Sequence, residues 1–203
     1  TENKEKFLNF NSEEHPLSIQ FGGDNPKLLK EAAKMAQDWG YDEINFNVGC
    51  PSPRVSSGNF GASLMKEPNK VAKCIESLKN NCTLPVTIKH RIGVDQEDSF
   101  DKLNSFVRIV ANAGADRFTV HARKAILEGL NPKQNRTIPP LKYDVVQKLK
   151  EINPELLIEV NGGFTNIDQC MKALKDFDGV MIGRSAYKPV SYTHLTLPTT
   201  LVV

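Results

Sequence analysis

Short apolar runs recur along this chain, and each closes on a polar residue. They read PLSIQFGG at 16–23, EINFNVGCP at 43–51, PVTIKHRIG at 85–93, RFTVHAR at 117–123, LLIEVNGG at 156–163 and GVMIGR at 179–184. In the second run Ile44, Phe46 and Val48 alternate with Asn45 and Asn47, the period of a strand. Stretches of helical period fall between the runs. Asp24 or Asn25 can cap the first helix, and Pro26 suits its opening position. Leu29, Ala32, Ala33, Ala36 and Trp39 share one face before Gly40 stops it. Further stripes are Val71, Ala72, Ile75 and Leu78, then Leu103, Phe106, Val107 and Val110. Val145, Val146, Leu149 and Ile152 follow, ended by Pro154, and Ile167, Met171 and Leu174 come last.

Strand runs alternating with helices predict an α/β fold with a parallel sheet. An open doubly wound sheet would carry a glycine-rich phosphate loop, and neither GxGxxG nor GxxxxGK[ST] occurs. In a TIM (β/α)8 barrel, functional residues gather at the carboxyl ends of the strands. Here those ends carry Gln20, Asn47, Lys89, His121, Asn161 and Arg184. The expectation is an incomplete TIM barrel over residues 1–189, with strands 3–8 present and the first βαβ missing. The segment before His15 reads as the tail of a helix plus a loop. Residues 190–203, VSYTHLTLPTTLVV, have no charge and no helical period, and are expected to be foreign to the fold.

Composition narrows the class. The 203 residues are 39% hydrophobic and 25% charged, with a formal charge of +2, which neither demands nor excludes a nucleic-acid partner. No apolar run nears the roughly 18 residues of a membrane helix, and no secretory signal opens the chain. Cys50, Cys74, Cys82 and Cys170 form no CxxC, so reduced thiols and a cytoplasmic setting are expected.

Several residues are candidates for chemistry. Cys50 falls outside its apolar run, between Gly49 and Pro51, where a thiol held on a stiff turn can act as a general acid. Cys74 and Cys170 fit the role of small buried hydrophobes. Lys89, at a strand end, implies either a salt bridge or a cation that faces a ligand. His121 is either a core histidine or a donor to a ligand. His15, His90 and His194 show no ligand spacing with it, so no metal site is expected. Gly162, Gly163 and Gly183 with Arg184 can cradle a phosphate, or simply make turns. The stretch 121–141 is a long loop bearing Arg123, Lys124, Lys133 and Arg136, suited to gripping a polynucleotide or merely solvated.

Taken together, NVGCPS, GASLM, PVTIKHRIG, HARKAILEGLNPKQNR followed by IPPL, NGG and DGVMIGR resemble the tRNA-dihydrouridine synthases, in particular their A-type bacterial branch. The likeness covers roughly residues 12–189. It implies an FMN-bound TIM barrel followed by a small helical domain, which reduces chosen uridines of the tRNA D-loop to 5,6-dihydrouridine with NADPH as reductant. Hydride passes from the flavin to C6 of a flipped-out uracil, and a cysteine, here Cys50, protonates C5. Gln20, Lys89, His121, Asn161, Gly162, Gly163, Gly183 and Arg184 match flavin and phosphate contacts. Asn47 matches the amide beside the uracil, and Arg123, Lys133 and Arg136 face tRNA. The family's first strand and its helical domain have no counterpart here, so the piece as given is expected to bind FMN poorly. The rivals are an FMN barrel acting on a free pyrimidine, like a dihydroorotate dehydrogenase, and a flavin-free RNA-binding remnant.

Overall fold

A computed structural model of the chain describes residues 2–52 and 60–187. The expected tail at 190–203 lies outside the described residues. All six apolar runs form strands: β1 Ser18–Phe21, β2 Glu43–Val48, β3 Val86–Arg91, β4 Arg117–His121, β5 Ile158–Asn161 and β6 Gly179–Met181. They make one parallel sheet in the order β1-β2-β3-β4-β5-β6. Sequential order with a helix between successive strands is the winding of a TIM barrel wall.

The helices are α1 Glu2–Leu8, α2 Pro26–Asp38, α3 Pro68–Lys79, α4 Phe100–Asn112, α5 Tyr143–Ile152 and α6 Ile167–Ala173. Their starts follow local chemistry. Asn25 Oδ1 accepts the N–H groups of Lys27 and Leu28, with Pro26 at the first helical position, and Ser99 and Asn166 cap α4 and α6 the same way. A single apolar layer joins strands to helices. Ile44, Phe46, Val48, Ile88, Phe118, Val120, Ile158 and Val160 pack on Ala33 and Ala36 of α2, Ile75 and Leu78 of α3, Phe106 and Val110 of α4, and Leu149 of α5. Cys74 and Cys170 are buried in this layer, as expected. Two stripe residues stand largely in solvent: Ile152 and Met171 are 42% and 52% exposed, because the neighbouring layer does not reach over them. Among the described residues no helix is long and apolar enough to cross a membrane.

The other face of the sheet is polar from its floor upward. Strand register sets Ser18, Glu43, Thr87, Arg117 and Glu159 near the amino ends, on the parity opposite to the apolar positions. Arg117 bridges Glu43 and Glu159, with its Nε 2.8 Å from Glu159, and Thr119 donates to the same carboxylate at 2.7 Å.

Candidate active site

A cavity of about 520 Å³ opens at the carboxyl ends of the strands. The residues expected at the site line it: Gln20, Asn47, Cys50, Lys89, His121, Arg123, Arg136, Asn161, Gly162, Gly163, Gly183 and Arg184. Lys133 does not. It is exposed and begins the short turn Gln134–Arg136, so its ammonium stands apart from this mouth.

The Cys50 turn is held from both sides. Asn47 Oδ1 accepts the N–H groups of Gly49 and Cys50 at 3.0 and 3.1 Å, and the Cys50 carbonyl accepts from Ala62 N–H at 2.9 Å. A Cβ on Gly49 would stand 3.3 Å from the Lys89 carbonyl, so glycine lets the turn press against β3. Cys50 is half-buried and faces the cavity. Lys89 Nζ donates to Asn161 Oδ1, and burial pulls its pKa down to about 8, with Arg91 adding to the effect. His121 is lowered to about 2, first by burial and then by Arg91, Lys89, Arg123 and Arg184, so the ring is neutral at ordinary pH. Its edge lies over the Gly162 backbone. A Cβ there would meet His121 Cδ2 at 2.7 Å, and Gly162 has φ +117°, which favours glycine in any case. Tyr143 donates its hydroxyl to the Gly162 carbonyl. The N–H groups of Gly163, Gly183 and Arg184 have no acceptor among the described residues.

The long loop is tied down rather than loosely solvated. Arg91 Nε donates to the Gly49 carbonyl, and its Nη1 to the carbonyls of Lys124 and Asn135. Asn135, fully buried, staples Ile126 and Leu130. Lys124 is committed to Asp98 and to the Asp95 carbonyl, and Arg123 to the carbonyls of Thr137 and Pro139. Of the loop's basic groups at the mouth, Arg136 alone carries no side-chain partner among the described residues.

The strand pattern does not mark Arg91, which lines the cavity, or Asn135, which fixes the loop beside it. Arg91 follows a lysine and a histidine in one run, and only the KHR triplet at a strand end hints at a second inward cation. Asn135 reads as one more polar loop residue, because a buried staple has no local signature.

Among the described residues the lining holds Lys89, Arg91, Arg123, Arg136 and Arg184 and no carboxylate, although the whole chain carries only two excess positive charges. Such a mouth attracts anions. The donor set also fits FMN: free backbone N–H groups beside Arg184 suit a phosphate, and an ammonium among amides suits a ring that gains negative charge on reduction.

Residues 1–194 match the family model described as Dihydrouridine synthase. The tRNA-dihydrouridine(20/20a) synthase of Synechocystis sp. is 58% identical over 185 residues, covering 91% of this chain and 55% of that protein. The tRNA-dihydrouridine(20/20a) synthase of Shewanella oneidensis is 52% identical over 182 residues, covering 90% of this chain and 54% of that protein. The chain thus spans about half the length of these relatives. A solved mandelate oxidase mutant carrying a monooxide FMN adduct shares the fold with a TM-score of 0.51 at 17% identity, covering 82% of this chain and 48% of the other.

Proposed function

This chain belongs to the dihydrouridine synthase family, and from that premise we propose that it is the catalytic barrel portion of an enzyme that reduces tRNA uridines to 5,6-dihydrouridine. The reading takes FMN as cofactor, NADPH as reductant and D-loop uridines as substrate, in a cytoplasmic setting. The observation that carries it is the shared cavity, where, among the described residues, one half-buried thiol faces five cations, three amides and two neutral imidazoles with no carboxylate among them.

When bound, the flavin would supply hydride to C6 of the uracil. Lys89, with the Gln20 and Asn161 amides, would hold its ring. The N–H groups of Gly163, Gly183 and Arg184, with the Arg184 guanidinium, hold its phosphate. His121 stays uncharged and acts as a neutral hydrogen-bond partner there. Cys50 would deliver the proton to C5 of the base, and the Asn47 hold on its turn would set that approach. Arg136 and Lys133 contact RNA phosphates. Arg123, bonded to loop carbonyls, keeps the loop in shape.

The test exchanges residues 12–187 into the Synechocystis relative and incubates the chimera with unmodified tRNA, FMN and NADPH. Nucleoside mass spectrometry is expected to find dihydrouridine. Cys50→Ala is expected to lower its rate of formation by about 10²- to 10⁴-fold. A chimera that reduces a free pyrimidine but not tRNA would overturn the proposal.

A further inference from the structure

The Asn47 amide is spent largely on the protein itself. Its oxygen accepts from the Gly49 and Cys50 N–H groups, and its Nδ2 donates to Gln20 Oε1 at 2.9 Å. Gln20 Nε2 donates to Asn45 Oδ1 at 2.7 Å. Asn45 Nδ2 donates to Thr87 Oγ1 at 2.9 Å, and Thr87 Oγ1 donates to Glu43 Oε1 at 2.8 Å. Every bond in this series runs the same way, from the Cys50 turn at the mouth to a carboxylate on the floor. The series weaves across β1, β2 and β3. Glu43 is in turn held by Arg117, which also bridges to Glu159.

Direction matters because a side-chain amide can flip without changing shape. A carboxylate can only accept, so the Thr87 hydroxyl gives its proton to Glu43 and must receive Asn45 Nδ2. That choice turns Asn45 Oδ1 toward Gln20, turns Gln20 Oε1 toward Asn47, and leaves the Asn47 oxygen facing the turn. A reversed Asn47 would set an NH₂ group against two N–H groups. Hydrogen bonds polarised in series reinforce one another. We propose that Glu43, Thr87 and Asn45 are positioning residues for Cys50, acting through Gln20 and Asn47 to hold the thiol's turn in one register. Thr87 and Asn45 are both buried, and neither touches the cavity.

The consequence for catalysis rests on the reading of Cys50 as proton donor. The test does not, because it reads the thiol directly in the full 203-residue chain. Iodoacetamide labels the cysteines, and peptide mass spectrometry gives a rate for each. Thr87→Val keeps the shape and removes the donor, whereas Thr87→Ser keeps the donor. Thr87→Val is expected to loosen the turn and speed Cys50 labelling about three- to tenfold, the scale of one lost hydrogen bond. Thr87→Ser is expected to label like the parent chain. Cys82, half-buried on the far side of the apolar layer, is expected to keep its rate in both. Equal Cys50 rates in the two variants, or a Cys82 rate that rises together with Cys50, would overturn the proposal. If Thr87→Val fails to fold by circular dichroism, Asn45→Leu is judged by the same criterion.

Discussion

Lys89 on β3 donates to Asn161 Oδ1 on β5, 3.1 Å away, reaching past β4 across the mouth of the sheet. Asn161 Nδ2 holds the Met181 carbonyl on β6 at 2.8 Å. One ammonium and one amide therefore link three strand ends. The ammonium has no carboxylate partner among the described residues, and this leaves it available to an anion.

That arrangement exchanges stability for binding. Lys89 titrates near pH 8 in the folded chain against 10.5 in the open chain. Between these values the unfolded state binds more protons, so stability rises with pH across the window. Lys89→Met is expected to melt higher than the parent at pH 7 and to lose that rise. Its flavin affinity should fall about tenfold or more, as for a lost charged hydrogen bond. Thermal melts from pH 6 to 10.5 and a flavin fluorescence titration check both halves.

The imidazoles make a second case. Burial holds His90 at about 4, and burial with the surrounding cations holds His121 at about 2. Their ring proton resonances are expected to stay flat between pH 5 and 9. In the unfolded chain both rings take up protons below about 6.5, so stability is lost as pH falls through that value. A midpoint near 6.5 for His121 by nuclear magnetic resonance would contradict the geometry.

Two glycines at the cavity, Gly162 after β5 and Gly183 after β6, should part company. A Cβ at Gly162 strikes His121 and Leu141 within 3 Å and forces a positive φ on alanine, whereas a Cβ at Gly183 meets nothing within 4 Å. Gly162→Ala is expected to cost about 1–3 kcal/mol in urea denaturation. Gly183→Ala is expected to leave stability unchanged and to weaken flavin binding alone.

Arg123 and Arg136 both line the mouth but differ in what holds them. Arg136→Ala is expected to lower the salt slope of tRNA binding by about one without changing the melt. Arg123→Ala should instead loosen the loop, read as faster proteolysis within 124–140. The same result for both substitutions would remove the distinction.

At the floor, Arg117 is the one cation bridging Glu43 and Glu159 among the described residues. Arg117→Met leaves a buried Glu159 and a half-buried Glu43 without it and is expected to cost about 3 kcal/mol. Urea unfolding measures it.

The strands and most helices were legible because apolar spacing reports burial against the helix layer, which local sequence determines. The strand-end residues were legible for a related reason: Gln20, Lys89, His121 and Asn161 are polar where an apolar residue would otherwise close the run. What sequence could not supply was partnership. Asn45 and Asn47 look alike in EINFNV, yet one lies beneath the mouth and the other holds the Cys50 turn. Arg123 and Lys124 look like free charges, yet both are committed to loop carbonyls or aspartates. Such pairings join residues far apart along the chain. Met171 failed for a different reason, since helical period locates a stripe but not where the neighbouring layer ends.

The division of the sheet into an oily outside and a wet inside has a mechanical meaning. The grease that holds this framework together is sealed behind the strands, so a guest in the cavity above the Arg117 layer need not disturb it. A guest can arrive, react and leave while the walls stay put. For a catalyst of the kind proposed, which would take a reductant and then a bulky polymer at one doorway, a frame whose grease lies elsewhere would permit the exchange.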